Sequence, residues 1–259
     1  VPTRPPTQYA ADVEILTQNV PHHVGGGDAF GRILVMRTTG GMHVMPDLNI
    51  PSGESFVRQV AHGRRFFERE CGANITAGWT LDSFGHHPQV PQLMAKSGFD
   101  YTVFQRLMRK GGPSEFLYRG LDGTELPCHW MPVSYAVFEG APTNLHQFTA
   151  FVEPRLAALA AHAHGSNILA LTGADLTPPS ASLLRMVRAY NASQDTYELV
   201  YSSTREFFSA IEWDESIPVV TDDLNPVFQG CYSARIEVKQ ANRELETLMQ
   251  NWEKVDSIG

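Results

Sequence analysis

The chain has 259 residues, a formal net charge of −8 and a pI near 5.7. That length suits one large α/β domain or two smaller ones, and 42% hydrophobic with 19% charged residues is ordinary globular composition. The acidic balance, without any basic run, argues against a nucleic acid or an anionic membrane surface as partner.

Three cysteines, Cys71, Cys128 and Cys231, are far apart and odd in number. They form neither a disulfide framework nor a CxxC zinc pair, so a reducing, cytoplasmic location is expected. No apolar run approaches the roughly 18 residues of a membrane span. The N-terminus lacks the charged-then-apolar pattern of a signal peptide, and it starts without Met, so the chain reads as processed, trimmed or partial. A homo-oligomer is compatible with the sequence.

Residues 1–10, VPTRPPTQYA, carry three prolines and read as a loose tail. DVEILTQ (12–18) reads as a strand, PHHVGGGDAFG (21–31) as a glycine-rich loop, and ILVM (33–36) and MHVM (42–45) as short strands. The stretch 51–72 reads as a helix: Ser52 is the expected N-cap, Glu54 suits the first turn, Phe56, Val60 and Phe67 share a face, and Gly72 is the stop. A strand ITAGWTL (75–81), a helix (88–98), a strand FDYTVFQ (99–105) and, after an LDGT turn, a strand ELPCHWM (125–131) follow. Residues 143–165 read as helix, with Pro154 at a helix start or kink. NILALTG (167–173) reads as a continuous apolar strand, 179–191 as helix, YELVYS (197–202) as strand and 203–213 as helix. Strands alternating with helices imply crossover connections and a largely parallel sheet. The last segment, 233–255, reads as one long helix in which Ala241, Leu245, Leu248 and Trp252 repeat at bundle spacing, so partner helices are expected.

In parallel α/β folds the reactive groups collect at the carboxyl ends of strands. Reading past each expected strand gives Asp47 after MHVM, Asp82 after ITAGWTL, Arg106 after FDYTVFQ and Asp175 after NILALTG. Two carboxylates in one cleft are the minimum for glycoside hydrolysis: one attacks or stabilises the anomeric carbon, the other protonates the departing oxygen. Each acid has a plainer alternative, because Asp also favours turns and helix caps.

Five separated blocks resemble glycoside hydrolase family 38, the class II α-mannosidases. GWTLDSFGHHPQVPQL is similar to that family's Gly-Trp-x-x-Asp-x-Phe-Gly-His signature. GGMHVMPDLNIPSGESFVRQ (40–59), GFDYTVFQR (98–106), LTGADLTPP (171–179) and FQGCYSARIEVKQANRELE (228–246) resemble other family segments in the right order, covering roughly residues 31–256. The resemblance implies an α/β fold: an incomplete seven-stranded β/α barrel, of the type shared with carbohydrate deacetylases, followed by a C-terminal helix from a helical bundle. The implied organisation is a loose N-terminal segment 1–30, a catalytic barrel 31–227 and the start of a helical middle domain, 228–259. The implied activity is retaining hydrolysis of terminal α-D-mannosyl residues of mannose-containing oligosaccharides. It would use one divalent metal ion, expected to be zinc, which selects a sugar with adjacent cis hydroxyls.

Residue by residue, the resemblance makes Asp82 both nucleophile and metal ligand, Arg106 the group that holds nucleophile and substrate, and Asp175 the acid/base. Phe84 shapes the sugar subsite, and Tyr135 lines the pocket. The sequence departs from the family where a first strand ends in His-x-Asp; the local candidates are His22, His23 and Asp28, at a different spacing. Met45 also replaces a family acid, although Asp47 remains. An inactive fragment or carbohydrate-binding remnant is therefore one alternative, and a deacetylase on the related barrel another.

Several residues have both a functional and a plainer reading. His86 and His87 are either metal ligands or hydrogen-bonded structural groups, with the second favoured. His162 and His164 read as solvent or helix-end histidines, Trp79 as sugar platform or core, and Cys128 as core.

Overall fold

The computed structural model describes residues 40–106, 111–173, 175, 180–225 and 227–258, with the backbone of 14–16 and 35–37. The described residues fall into two compact units: those of Gly40–Pro132 with Trp213–Gly259, and those of Val1–Thr39 with Val133–Glu212.

The first of these units is built on a mixed sheet. β3 (Ala77–Trp79), β4 (Tyr101–Phe104) and β6 (Glu125–Trp130) run parallel side by side, in the registers Gly78–Thr102 and Thr102–Cys128. β5 (Glu115–Arg119) pairs antiparallel with β6, and β7 (Val219–Val220) closes the order β3-β4-β6-β5-β7. Every residue of β4 is buried, the pattern of a strand covered on both faces. β5 and β7 are additions to the elements read from the sequence. β5 and β6 form a hairpin over the LDGT turn, in which Gly120 N–H donates to the Thr124 carbonyl at 2.8 Å.

Two helices cover one face. α1 (Gly53–Cys71) starts where the Ser52 hydroxyl accepts from Ser55 N–H at 3.2 Å and ends at Gly72, whose φ of 61° suits glycine. Phe56, Val60 and Phe67 are buried on one stripe, as their spacing predicts. α2 (Val90–Lys96) buries Val90 and Met94 against Phe104, Phe116 and Cys128 in the same core.

The segment MHVM is not a strand. His43 N–H donates to the Gln59 carbonyl at 2.9 Å and Val44 N–H to Gln59 Oε1 at 3.1 Å, so donors that a ladder needs are taken by α1. The approach is close: a Cβ on Gly63 would lie 2.3 Å from the Met42 carbonyl carbon. Only Gly40, just upstream, makes a parallel bridge to β3, at Gly78. Asp47 therefore does not end a strand.

The second unit includes the short antiparallel pair β1 (Glu14–Leu16) and β2 (Val35–Arg37), close to the expected positions. Its core joins α3 (Leu145–Ala160) to α4 (Ala181–Ser193) through Phe148, Val152, Leu156, Leu183, Val187 and Tyr190. Pro154 stands inside α3. α5 (Thr204–Ser209) opens with a capping box between Ser203 and Glu206. Two expected strands are absent among the described residues. In 197–202, the Asn191 side chain binds both the N–H and the carbonyl of Leu199, at 3.0 and 2.9 Å, which satisfies that backbone without a ladder. Residues 167–173 are unladdered; Leu169 is buried and Ala170 packs on the α3–α4 core, contacts that give a short apolar run the same composition as a strand.

α6 (Gln229–Ser233) leads into α7 (Ile236–Asp256), close to the expected 233–255. α7 meets its own unit through its polar side. Glu246 Oε1 accepts from Ser52 N–H at 3.0 Å and from the Ser55 hydroxyl at 2.6 Å, placing a carboxylate at the N-terminus of α1. Arg58 forks onto Glu253 at 2.5 and 2.7 Å. Leu245, Leu248 and Trp252 are exposed. Among the described residues, no helix is long and apolar enough to cross a membrane.

Glu246→Ala removes the carboxylate that accepts from Ser52 N–H and the Ser55 hydroxyl at the start of α1, and leaves the Ser52 cap in place. Loss of these hydrogen bonds to a carboxylate is expected to cost about 1.5–3 kcal/mol in denaturant unfolding and to speed amide hydrogen exchange across 240–256. Unchanged exchange in α7 would show that Glu246 does not anchor it.

Candidate active site

Three of the residues singled out from the sequence meet beyond the carboxyl ends of β3 and β4. After β3, Thr80 N–H still donates to the Val103 carbonyl at 3.1 Å; the chain then turns, and Asp82 stands on the turn. Gln105 N–H, just past β4, donates to the Leu81 carbonyl at 3.1 Å, which brings the two loop starts together. The Trp130 indole N–H, from the end of β6, donates to the Gln105 carbonyl at 2.6 Å and fixes the residue before Arg106. Arg106 Nε then donates to Asp82 Oδ1. The two side chains are 28% and 38% exposed, so the pair is neither fully solvated nor sealed. The Arg106 guanidinium carbon lies 5.1 Å from the Phe84 ring centroid, and Phe228 meets that ring edge-on at 5.4 Å.

The turn is clamped at its far end. His86 exchanges backbone hydrogen bonds with Leu224, at 2.9 and 3.2 Å. The Tyr118 hydroxyl lies within reach of two carbonyls, Asp222 at 3.1 Å and His86 at 3.3 Å. Gly85 allows a close approach here: a Cβ would stand 2.2 Å from Asn49 Nδ2 and 2.4 Å from Asn225 Oδ1. Tyr232 donates its hydroxyl to that Asn225 oxygen.

The histidines after the Asp-x-Phe-Gly motif have structural surroundings. His86 is fully buried, packs on Phe104 with centroids 5.0 Å apart, and has Nε2 2.9 Å from Thr80 Oγ1. Burial, with a smaller contribution from His87, holds its pKa down at about 3. His87 is also pushed down by burial, against the pull of Asp223, and its Nδ1 accepts from Gln89 N–H at 3.1 Å. Asp47 closes a local turn, with Oδ1 accepting from Asn49 and Ile50 N–H at 2.7 and 2.9 Å. Trp79 is core, and burial pushes the Cys128 thiol well above its ordinary pKa, which leaves it inert. His162 and His164 follow the end of α3.

Asp175 and Tyr135 belong to the other unit. Asp175 is exposed, Tyr135 is half-buried, and the tyrosine hydroxyl donates to Asp175 Oδ2 at 3.3 Å. Unlike Asp82, Asp175 does not follow a hydrogen-bonded strand.

For a metal ion, the described residues offer Asp82 without a companion set: among them, no three His, Cys, Asp or Glu side chains stand together in a way that would hold one. One carboxylate falls short of the three protein ligands of a catalytic zinc. His22, His23 and Asp28 lie outside the described residues.

Thr80, Asn225 and Leu224 were not singled out from the sequence. For Thr80 the available signal was its place one residue past a strand. For the other two it was the turn-forming run Asp-Asp-Leu-Asn-Pro after a short strand.

The site is thus a carboxylate and an arginine on the turns that follow two adjacent parallel strands. The chain belongs to the family described as glycosyl hydrolases family 38, whose N-terminal domain model matches residues 34–230. It is 28% identical over 225 residues to alpha-mannosidase 2C1 of Homo sapiens, covering 85% of this chain and 21% of that protein. Over 98 residues it is 40% identical to alpha-mannosidase G of Dictyostelium discoideum, covering 36% of this chain and 9% of that protein. The crystal structure of an alpha-mannosidase from Enterococcus faecalis V583 superposes with a TM-score of 0.67 at 24% identity, over 71% of this chain and 22% of that one; this establishes likeness of fold. The chain therefore spans about a fifth or less of the length of these relatives.

The buried neutral His86 makes stability depend on pH. Its folded pKa of about 3 lies below its ordinary 6.5. The unfolded chain therefore binds the proton first as pH falls, and stability is complete above 6.5 and lost below it. The expected slope from this group is about 1.4 kcal/mol per pH unit between pH 6 and 4. His86→Gln should flatten that part of a denaturant-midpoint profile, and an unchanged profile would refute the assignment.

Proposed function

We propose that this chain carries catalytic residues of a retaining α-mannosidase that removes terminal α-D-mannosyl residues from oligosaccharides. The observation that carries the reading is the Asp82–Arg106 pair beyond the ends of two adjacent parallel strands, in a chain whose relatives are named alpha-mannosidases. On this reading the five-stranded sheet is part of a seven-stranded β/α barrel.

Asp82 would be the nucleophile. Arg106 occupies its Oδ1 and leaves Oδ2 as the oxygen that bonds the anomeric carbon while the glycosidic C–O bond breaks. Asp175 would give its proton to the departing oxygen. It would then take one from the water that cleaves the mannosyl ester, releasing mannose with retained configuration. Phe84 would present an apolar face to the sugar, with Arg106 lying against the same ring. Tyr135 would orient Asp175 through its hydroxyl. A divalent metal, zinc as expected from the resemblance, would have Asp82 as one ligand and would bind cis hydroxyls. The described residues do not complete its site.

The test is release of the aryl alcohol from an aryl α-mannoside by this chain, with zinc or cobalt added. Asp82→Asn should lower turnover at least about a thousandfold with the fold retained. Asp175→Asn should spare an activated aryl mannoside about tenfold or more relative to a natural mannoside, because a good leaving group needs little protonation. Equal losses on both substrates would remove Asp175 as the acid, and undiminished turnover by Asp82→Asn would end the reading.

A further inference from the structure

The turn that carries Asp82 is spanned by a side-chain bond. Thr80 and His86 bracket Asp82 on either side, and their side chains meet at 2.9 Å, Oγ1 to Nε2, with both residues at 0% exposure. Each end of this brace is independently fixed. Thr80 is held to β4 through its N–H to the Val103 carbonyl, and His86 is held to Leu224 by two backbone hydrogen bonds. The ring rests on Phe104, the last residue of β4, whose loop carries Arg106.

His86 Nδ1 is buried and makes no hydrogen bond. The bond forms in either neutral tautomer: Nε2–H donates to Thr80 Oγ1, or the Thr80 hydroxyl donates to a bare Nε2.

We propose that Thr80 and His86 are positioning residues for the nucleophile: the hydrogen bond between them sets the height of the Asp82 turn, so that the carboxylate meets Arg106 and the anomeric carbon. The inference rests on the mannosidase reading of Asp82. Neither residue touches Asp82 Oδ1, which is held by Arg106, so they act through the backbone of the turn. A displacement of about 1 Å at a reacting group costs up to about a hundredfold in rate, and such a displacement leaves substrate affinity largely intact.

Thr80→Val keeps the shape of the side chain and deletes the hydroxyl; Thr80→Ser keeps the hydroxyl. Steady-state kinetics on an aryl α-mannoside should show Thr80→Val losing about tenfold to a hundredfold in kcat, with KM within about twofold. Thr80→Ser should recover most of that loss. Long-range proton–nitrogen NMR of the histidine rings should show the His86 Nε2 resonance alike in the parent and in Thr80→Ser, and displaced in Thr80→Val.

Parent-like kcat in Thr80→Val, or failure of serine to rescue, overturns the brace while an inactive Asp82→Asn leaves the mannosidase reading standing. A His86 Nε2 resonance that Thr80→Val leaves unmoved also overturns it. A parent without turnover, or a fully active Asp82→Asn, overturns the reading and the brace together.

Discussion

The structure around the site depends on one pairing, the parallel ladder between β3 and β4. It places the residues after Trp79 and after Phe104 side by side, and so brings a carboxylate and a guanidinium, 24 residues apart in sequence, into one hydrogen bond. A one-residue slip in that register would turn every side chain to the opposite face. Thr102, whose hydroxyl donates to the Gly78 carbonyl at 3.2 Å, ties the two strands in this register, and burial of all four β4 residues keeps water from the ladder.

Polar groups near the strand ends are buried in contact with one another. Glu115 and His129 oppose each other across β5 and β6, 2.8 Å apart and almost fully buried, and the Ser114 hydroxyl donates to the second carboxylate oxygen at 2.9 Å. Breaking such a set leaves a desolvated polar group, which costs more than the intact interaction contributes. Thr80, His86 and Tyr118 form a second set beneath the Asp82 turn. These sets make the strand ends stiff, which suits a site where distance controls rate.

Much of this was legible in the sequence where a side chain's role is local. Ser52 and Gly72 mark the ends of α1 because caps are read within a few residues, and Phe56, Val60 and Phe67 mark its buried face. Asp82, Phe84 and Arg106 were legible through a motif whose spacing the sheet converts into proximity. MHVM and YELVYS have the composition of strands but are not strands, because backbone donors and acceptors in them bind Gln59 and Asn191, partners that composition does not reveal. β5 was overlooked because EFLYR lies on the far side of a turn read only from its second strand. The exposure of Leu245, Leu248 and Trp252 agrees with a bundle-spaced stripe that calls for partner helices, whereas the docking of the polar side of α7 on α1 was not legible, because periodicity does not name a polar partner.

The central claim is that Asp82 forms a bond to the sugar. A fluorinated mannosyl fluoride, which slows release of the sugar from the enzyme more than its attachment, tests this directly. Mass spectrometry of a proteolytic digest should place one added fluoromannosyl group on Asp82. A label on another residue, or an unlabelled protein that nonetheless releases mannose from the aryl substrate, would contradict the account.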